Sequence, residues 1–257
     1  MKILQGNRVL IYQIADAAFK TSNISPSIIE LGVLDGANAE VINQILSPKE
    51  LVLIDGWSTD SFKDYETNND HRSWVNDMTE YSGYFQGSPK EQSTFDQLYK
   101  KTIDRFEGKQ NVRVIKGSSR SAMQALAKLR PEKFDLIYVD AGHQYETVLD
   151  DLMDYSELLK DDGFFQMNDC CHSPDGLKLN LGVLEATIKF CKIKDFVPVL
   201  VCNTDWTDIL LVKKNSRMID VVDQIVMNNA LAFVEIPHQL LGALTVRYGK
   251  TRNLSFI

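Results

Sequence analysis

Hydrophobic and polar positions along this chain switch between two periods. In residues 8–21 the apolar Val9, Leu10, Ile14, Ala17 and Ala18 recur at helical spacing and predict an amphipathic helix. Ser27–Leu31 is instead a short, β-rich apolar run. A glycine turn leads from it into a helical pattern over residues 37–46, and LVLID then makes a second strand ending at Asp55. The two strands and their helix span about 30 residues, the size of a βαβ unit, whose crossover is expected to be right-handed. The next strand, VRVIKG, begins only at Val112. A helix near 119–129, the strand FDLIYVD, a helix near 145–159, the strand GFFQMND and a helix near 180–192 follow. FVPVLVC and TDILLVKK are separated by a few residues around Asn203, Thr204 and Asp205, too few for a crossover helix, so they must pair antiparallel. The pattern predicts an α/β fold whose five parallel strands are closed by a C-terminal antiparallel hairpin. After Lys214 come a helical-looking stretch, MIDVVDQIVMNNALAFVE, and a polar tail ending at Ile257.

Residues 56–111 separate two neighbouring parallel strands, far more chain than such a connection needs. They carry Trp57, Phe62, Tyr65, Trp74, Tyr81, Tyr84 and Phe85 among Asp, Asn, Ser and Gly, followed by a helix near 92–107. An aromatic-rich insertion at the carboxyl end of a strand is expected to act as a lid over a ligand crevice, since disordered segments are poor in aromatics. Composition narrows the function classes. With 257 residues, 44% apolar and 25% charged, the chain reads as globular, and 28 Lys+Arg against 35 Asp+Glu give a net charge of −7. The basic residues form no stripe, so neither nucleic acid nor a membrane surface is expected as a partner. The N-terminus lacks the continuous apolar core of a signal peptide, so a soluble, cytoplasmic protein is expected. Cys170, Cys171, Cys191 and Cys202 include no C-x-x-C pair and are expected to be reduced.

The strand-to-helix turn in IIELGVLDGANAEVI holds Gly32 and Gly36. Glycines there let a ligand approach the backbone, and the helix N-terminus beyond offers N–H groups and a positive dipole end. The Gly-x-x-x-Gly spacing differs from the G-x-G-x-x-G fingerprint, which counts against NAD. Asp55, about twenty residues on, stands where an acidic side chain can accept hydrogen bonds from ribose hydroxyls, although Asp55-Gly56 would also suit a plain turn.

ELGVLDG, LIDGW, KGSS, FDLIYVDAGHQYETVLDDL, LLKDDGFFQMNDC and the terminal hairpin follow one another in an order that resembles class I S-adenosylmethionine-dependent methyltransferases. The pattern is most similar to the macrocin O-methyltransferase and cephalosporin-hydroxylase-like group, many of whose members bind a divalent metal. The resemblance covers residues 26–214 and implies a doubly wound, Rossmann-like methyltransferase domain over residues 1–214, with residues 215–257 as a helical extension and tail. It implies that Glu30, Gly32 and Gly36 frame the methionine end of S-adenosylmethionine, that Asp55 holds the ribose, and that Ser118 and Ser119 lie beside the adenine, with Asp140 at the same crevice. Leu34 departs from the family pattern, standing where many members have a middle glycine. Ser118-Ser119 likewise replace an acidic residue.

Asp140 ends one predicted strand, and Asn168 and Asp169 end its neighbour. Three oxygen donors there would suit Mg²⁺, and the resemblance implies the same positions. As a metal site they would lower the pKa of a bound substrate hydroxyl. His143, three residues after Asp140, is the candidate general base, with helix capping as its structural alternative. His71 and His172 are weaker candidates, and His238 has no expected role. Cys170 and Cys171 read as packing residues, and Asp150, Asp151, Asp154, Asp161 and Asp162 as solvated faces and ends of a helix. The expected function is metal-assisted O-methylation of a small-molecule hydroxyl, on a sugar or natural product. The rivals are a catalytically silent binding protein of the same fold and a nicotinamide-dependent oxidoreductase. The terminal helices could also supply a homo-oligomer interface.

Overall fold

The computed structural model describes residues 1–62, 82–129, 132–170, 182–203, 207–243, 245–248, 250 and 252–256. Its strands are β1 (Lys2–Leu4), β2 (Ser27–Leu31), β3 (Glu50–Asp55), β4 (Val112–Lys116), β5 (Phe134–Val139), β6 (Leu159–Met167), β7 (Phe196–Cys202), β8 (Asp208–Lys213), β9 (Phe233–Glu235), β10 (Thr245–Tyr248) and β11 (Arg252–Ser255). Its helices are α1 (Arg8–Thr21), α2 (Ala37–Leu46), α3 (Gln92–Arg105), α4 (Ser119–Leu129), α5 (Tyr145–Tyr155), α6 (Val183–Lys194) and α7 (Met218–Asn228). Nine strands form one sheet in the order β4-β3-β2-β5-β6-β8-β7-β1-β9. From β4 to β6 all neighbours are parallel, while β8 runs antiparallel to both β6 and β7.

Chain direction across the sheet reverses between β2 and β5. One branch of the chain moves outward through β3 and β4, and the other through β6. In open α/β sheets a ligand crevice opens at the carboxyl ends of the strands flanking such a switch point. Strand alternation explains why the sheet is covered on both faces. Ile28, Leu51 and Leu53 point into a core shared with Ile11, Ala15 and Phe19 of α1, Ile42 of α2 and Val222 of α7. Ile29, Leu31, Val52 and Ile54 point into a second core with Leu126 of α4, Leu152 of α5 and Phe190 of α6.

The sheet is wider than the sequence pattern predicts, because β1 and β9 extend it beyond the β7–β8 hairpin. β1 runs parallel to β7, and β9 runs antiparallel to β1. Three-residue strands are too short to show a period, so only their partners reveal them. The helix expected through MIDVVDQIVMNNALAFVE stops at Asn228; Ala230 takes a left-handed φ of 52° and Phe233–Glu235 becomes β9. The tail is not featureless either, since β10 and β11 pair antiparallel.

Within the predicted lid, Trp57 and Phe85 are buried and join Phe95, Leu98 and Phe106 in the first core, so these aromatics pack inward. Tyr84 remains 62% exposed. Tyr65, Trp74, Tyr81 and His71 lie outside the described residues. Among those described, no helix is long and apolar enough to cross a membrane.

Candidate active site

The chain leaves β2 into a turn that its sequence can hardly vary. Gly32 has φ +81°, and a Cβ there would sit 1.9 Å from the carbonyl oxygen of Asp140. Leu34, in place of a middle glycine, also takes a left-handed φ of 56°. That conformation is costly for a branched side chain and persists only when its surroundings enforce it. Three contacts do so: the Leu34 carbonyl accepts from Trp57 Nε1 (2.7 Å) and Thr102 Oγ1 (3.2 Å), and its N–H donates to Asp55. Gly36, also at φ +81°, caps α2.

Asp55 organises this turn. Its Oδ2 accepts from the amides of Val33 (2.8 Å) and Leu34 (3.0 Å), and its Oδ1 from that of Trp57 (2.8 Å). Burial raises its pKa, and the three amide bonds offset this only in part. The residue expected to touch a ribose therefore also holds the backbone against which a nucleoside would lie.

Glu30 is fully buried on β2. Oε1 accepts from Asn38 Nδ2 (3.0 Å), Asn38 in turn accepts from Tyr12, and Oε2 is buried with no hydrogen-bond partner. Desolvation pushes this carboxyl up to about 8, against the bond from Asn38. Ser118 and Ser119 turn elsewhere. Ser118 Oγ donates to Ser121 Oγ (3.0 Å), while Ser119 donates to Asp151 of α5. Asp151 is 4% exposed, its carboxyl pushed up to about 6 by burial, so the expectation of a solvated residue is corrected for it. Both serine hydroxyls thus already have protein partners.

On the far side of the switch point, Asp140, His143, Asn168 and Asp169 do converge. His143 Nε2 lies 3.5 Å from Asp140 Oδ1 and 3.3 Å from Asp169 Oδ2, and Asn168 Nδ2 donates to Asp140 Oδ1 at 3.0 Å. Burial alone would lower the His143 pKa. Its bonds to the two carboxylates and their charges outweigh that and hold it well above the usual value. The two carboxylates therefore favour the protonated imidazole, the form that donates a proton.

The same geometry decides the fit of magnesium. Asp140, Asp169 and the Asn168 oxygen, which is buried without a partner, are donors of the right type. Two of them are engaged with His143 and with each other's neighbours instead. Asn168 turns its amide N–H towards Asp140, and the imidazolium lies between the two carboxylates, where a cation would have to be. Among the described residues no group of three or more His, Cys, Asp or Glu is arranged to hold a metal ion. As arranged here, Asp140, Asn168 and Asp169 do not fit magnesium.

Two residues without a motif also belong to this edge. Arg8, the first residue of α1, donates through Nη1 to the Tyr138 hydroxyl (2.8 Å) and lies 3.5 Å from Asp140 Oδ2. Asp208, 2% exposed at the start of β8, accepts from Gln166 (2.9 Å), and burial raises it to about 7. Antiparallel pairing of β8 with β6 is what brings Asp208 to the carboxyl edge of the parallel strands. Cys170 is buried and donates to Thr187 (3.5 Å), in keeping with packing; Cys171 and His172 lie outside the described residues.

Comparison with known proteins agrees with this architecture. Over 80–86% of their own length, two solved structures superimpose on 81–82% of this chain: the O-methyltransferase NovP (TM-score 0.53, 12% identity) and a Staphylococcus aureus protein provisionally named a caffeoyl-CoA O-methyltransferase (TM-score 0.50, 14% identity). A Klebsiella pneumoniae protein provisionally named an O-methyltransferase gives a TM-score of 0.50 at 13% identity, covering 79% of this chain and 80% of its own. At these identities the likeness establishes the fold. No curated protein sequence matches the chain. A family model described as a methyltransferase domain matches residues 29–170, more than half of the chain and the whole stretch from β2 to the end of the Asp140–Asp169 cluster, so the chain belongs to that methyltransferase family.

Proposed function

We propose that this protein transfers the methyl group of S-adenosylmethionine to a hydroxyl of a small molecule, a sugar or a related natural product. The observation that carries the reading is the charge of the crevice. Asp55, Asp140 and Asp169, with the partly ionised Asp208 and the largely protonated Glu30, gather at the carboxyl edge of the sheet beside Arg8 and His143. Such a site favours a ligand bearing an ammonium and a sulfonium. It disfavours the pyrophosphate of a dinucleotide, all the more because the first amide of α2, at Ala37, is already taken by the Asp35 carboxylate (3.1 Å).

When bound, S-adenosylmethionine supplies an electrophilic methyl group on sulfur. The residues of the chain bind and orient. Gly32 lets the turn close against the Asp140 backbone and so fixes the wall beside which the methionyl end would lie. The Asp55 carboxylate has about four acceptor sites, of which three hold the turn, leaving one for a ribose hydroxyl. Asp140 and Asp169, fixed by the His143 proton between them, face the edge where an acceptor hydroxyl would enter. In-line transfer then gains chiefly from positioning. Methylation of oxygen, and not of another atom, rests on the sequence resemblance and on the names of the structural neighbours.

Calorimetric titration with S-adenosylhomocysteine and, separately, with NAD⁺ tests the reading. Micromolar binding of the first and none of the second is expected. The reverse result would overturn the proposal. Release of S-adenosylhomocysteine from S-adenosylmethionine, screened with sugar and catechol hydroxyls, then identifies the acceptor.

A further inference from the structure

We infer that Thr102 and Arg105 of α3 are positioning residues for the cofactor: from the insertion between β3 and β4 they hold the β2–α2 turn in its left-handed shape, so that cofactor affinity depends on side chains outside the turn itself. The inference rests on the function proposed above. It begins with Leu34, whose φ of 56° is a conformation that a branched residue keeps only when its neighbours enforce it. Asp55 holds the Leu34 amide, while the carbonyl side of the turn is held from the insertion. Thr102 is fully buried and shares its one hydroxyl proton between the Leu34 carbonyl (3.2 Å) and that of Leu98, one helical turn back (3.1 Å). Arg105 donates through Nε to the Asp35 carbonyl (3.2 Å) and through Nη1 to the carboxylate of Glu40 in the first turn of α2. With amide and carbonyls both engaged, Leu34 has no free torsion left.

The second observation is where α3 sits. A Cβ on Gly36 would lie 3.1 Å from the Phe106 ring and 3.4 Å from the side chains of Arg105 and Thr102, so the end of the helix rests directly on the turn. Its start is tied to the other root of the insertion: Gln92 donates to the Trp57 carbonyl (3.0 Å) and accepts from the Thr59 amide (3.3 Å), and the Trp57 and Tyr99 rings lie 4.9 Å apart. Trp57 itself donates to the Leu34 carbonyl, so both roots of the insertion meet at one residue. A surface that already has its bound shape loses less freedom when a ligand arrives, and that gain appears as affinity.

The test removes the two contacts in two backgrounds and reads S-adenosylhomocysteine affinity by calorimetry. Thr102→Val keeps the shape of a buried side chain and Arg105 is 30% exposed, so the pair of substitutions is expected to fold, which thermal unfolding checks. In the natural background the pair is expected to weaken binding about tenfold. Glycine takes positive φ as readily as negative, so with Leu34→Gly in place the same pair is expected to cost less than about threefold. That rescue is the readout a merely structural role would not move, because glycine at Leu34 adds nothing to the packing of α3. A loss of about tenfold in both backgrounds would show that α3 acts on something other than the Leu34 conformation, and would overturn the inference. So would unchanged affinity in the natural background. If the pair does not fold, Arg105→Gln alone carries the same comparison, with a loss of about threefold that disappears in Leu34→Gly. Failure of the wild-type protein to bind S-adenosylhomocysteine would overturn the parent reading, a result distinct from binding that the substitutions leave alone.

Discussion

The two halves of the crevice are built on different principles. On the β2–β3 side, the chain is held by backbone: Gly32 and Gly36 supply left-handed turns, and Asp55 gathers three amides within a stretch of 25 residues. On the β5–β6 side it is held by side-chain charge, with Arg8, Tyr138, Asp140, His143, Asn168, Asp169 and Asp208 arriving from four separate parts of the chain. The backbone contacts of the first half do not themselves titrate, although Glu30 beneath them does. The second depends on which of its groups carry protons. A turn that any nucleoside cofactor could use sits beside a network that a different sequence could rearrange.

Substitutions can break this contrast, and the largest effect is expected at Gly32. Gly32→Ala would place a methyl group against the Asp140 carbonyl in a backbone conformation that already disfavours L residues, costing more than about 4 kcal/mol, read as loss of cooperative thermal unfolding. Asp55→Ala strands three amides and is expected to cost about 2–4 kcal/mol, together with at least tenfold in S-adenosylhomocysteine affinity by calorimetry. Stability lost without affinity would confine Asp55 to holding the turn.

On the other side the effects should vary with pH. His143→Gln removes the cation between Asp140 and Asp169, with an expected loss of about 1–3 kcal/mol. Because the histidine pKa is raised by folding, its stabilisation is full below about 6.5 and disappears as pH rises through the folded value. The gap between wild type and variant in denaturant titrations should therefore narrow in alkali. A gap independent of pH would show that His143 is neutral and return it to the role of base. Glu30→Gln should do the opposite. The Glu30 carboxyl titrates near 8 when folded and near 4.5 otherwise, so the folded chain holds the extra proton and stability falls as pH rises between these values. Glutamine escapes that loss and should be more stable by up to about 4–5 kcal/mol at pH 9, with less than about 1 kcal/mol between the two at pH 5. The smallest effect belongs to Ser119→Ala, expected to cost about 1 kcal/mol through the bond to Asp151 with unchanged cofactor affinity. Weakened affinity would put the hydroxyl at the adenine after all.

The legibility of the site follows the same division. The glycine turn and Asp55 could be read because their partners are near in sequence and their geometry demands particular residue types. Asp140, His143, Asn168 and Asp169 were brought together correctly by their places at strand ends, but their chemistry was not readable. Whether His143 is a base or a bound cation depends on 3.3–3.5 Å distances to two carboxylates, which no spacing encodes. Arg8 and Asp208 gave no signal at all, since one looks like a residue in a helical first turn and the other like the start of a strand.

By itself the sequence determined the alternation of strands and helices, the reversal into a terminal hairpin, and the turn that requires glycine. These follow from local period and from backbone conformations that only certain residues tolerate. Tertiary structure alone decided the two added strands at the sheet edge, the inward packing of Trp57 and Phe85, the burial of Asp151 and the carboxylates set against His143. Each of these depends on desolvation and on neighbours contributed from elsewhere in the chain, and such quantities exist only once the chain has folded.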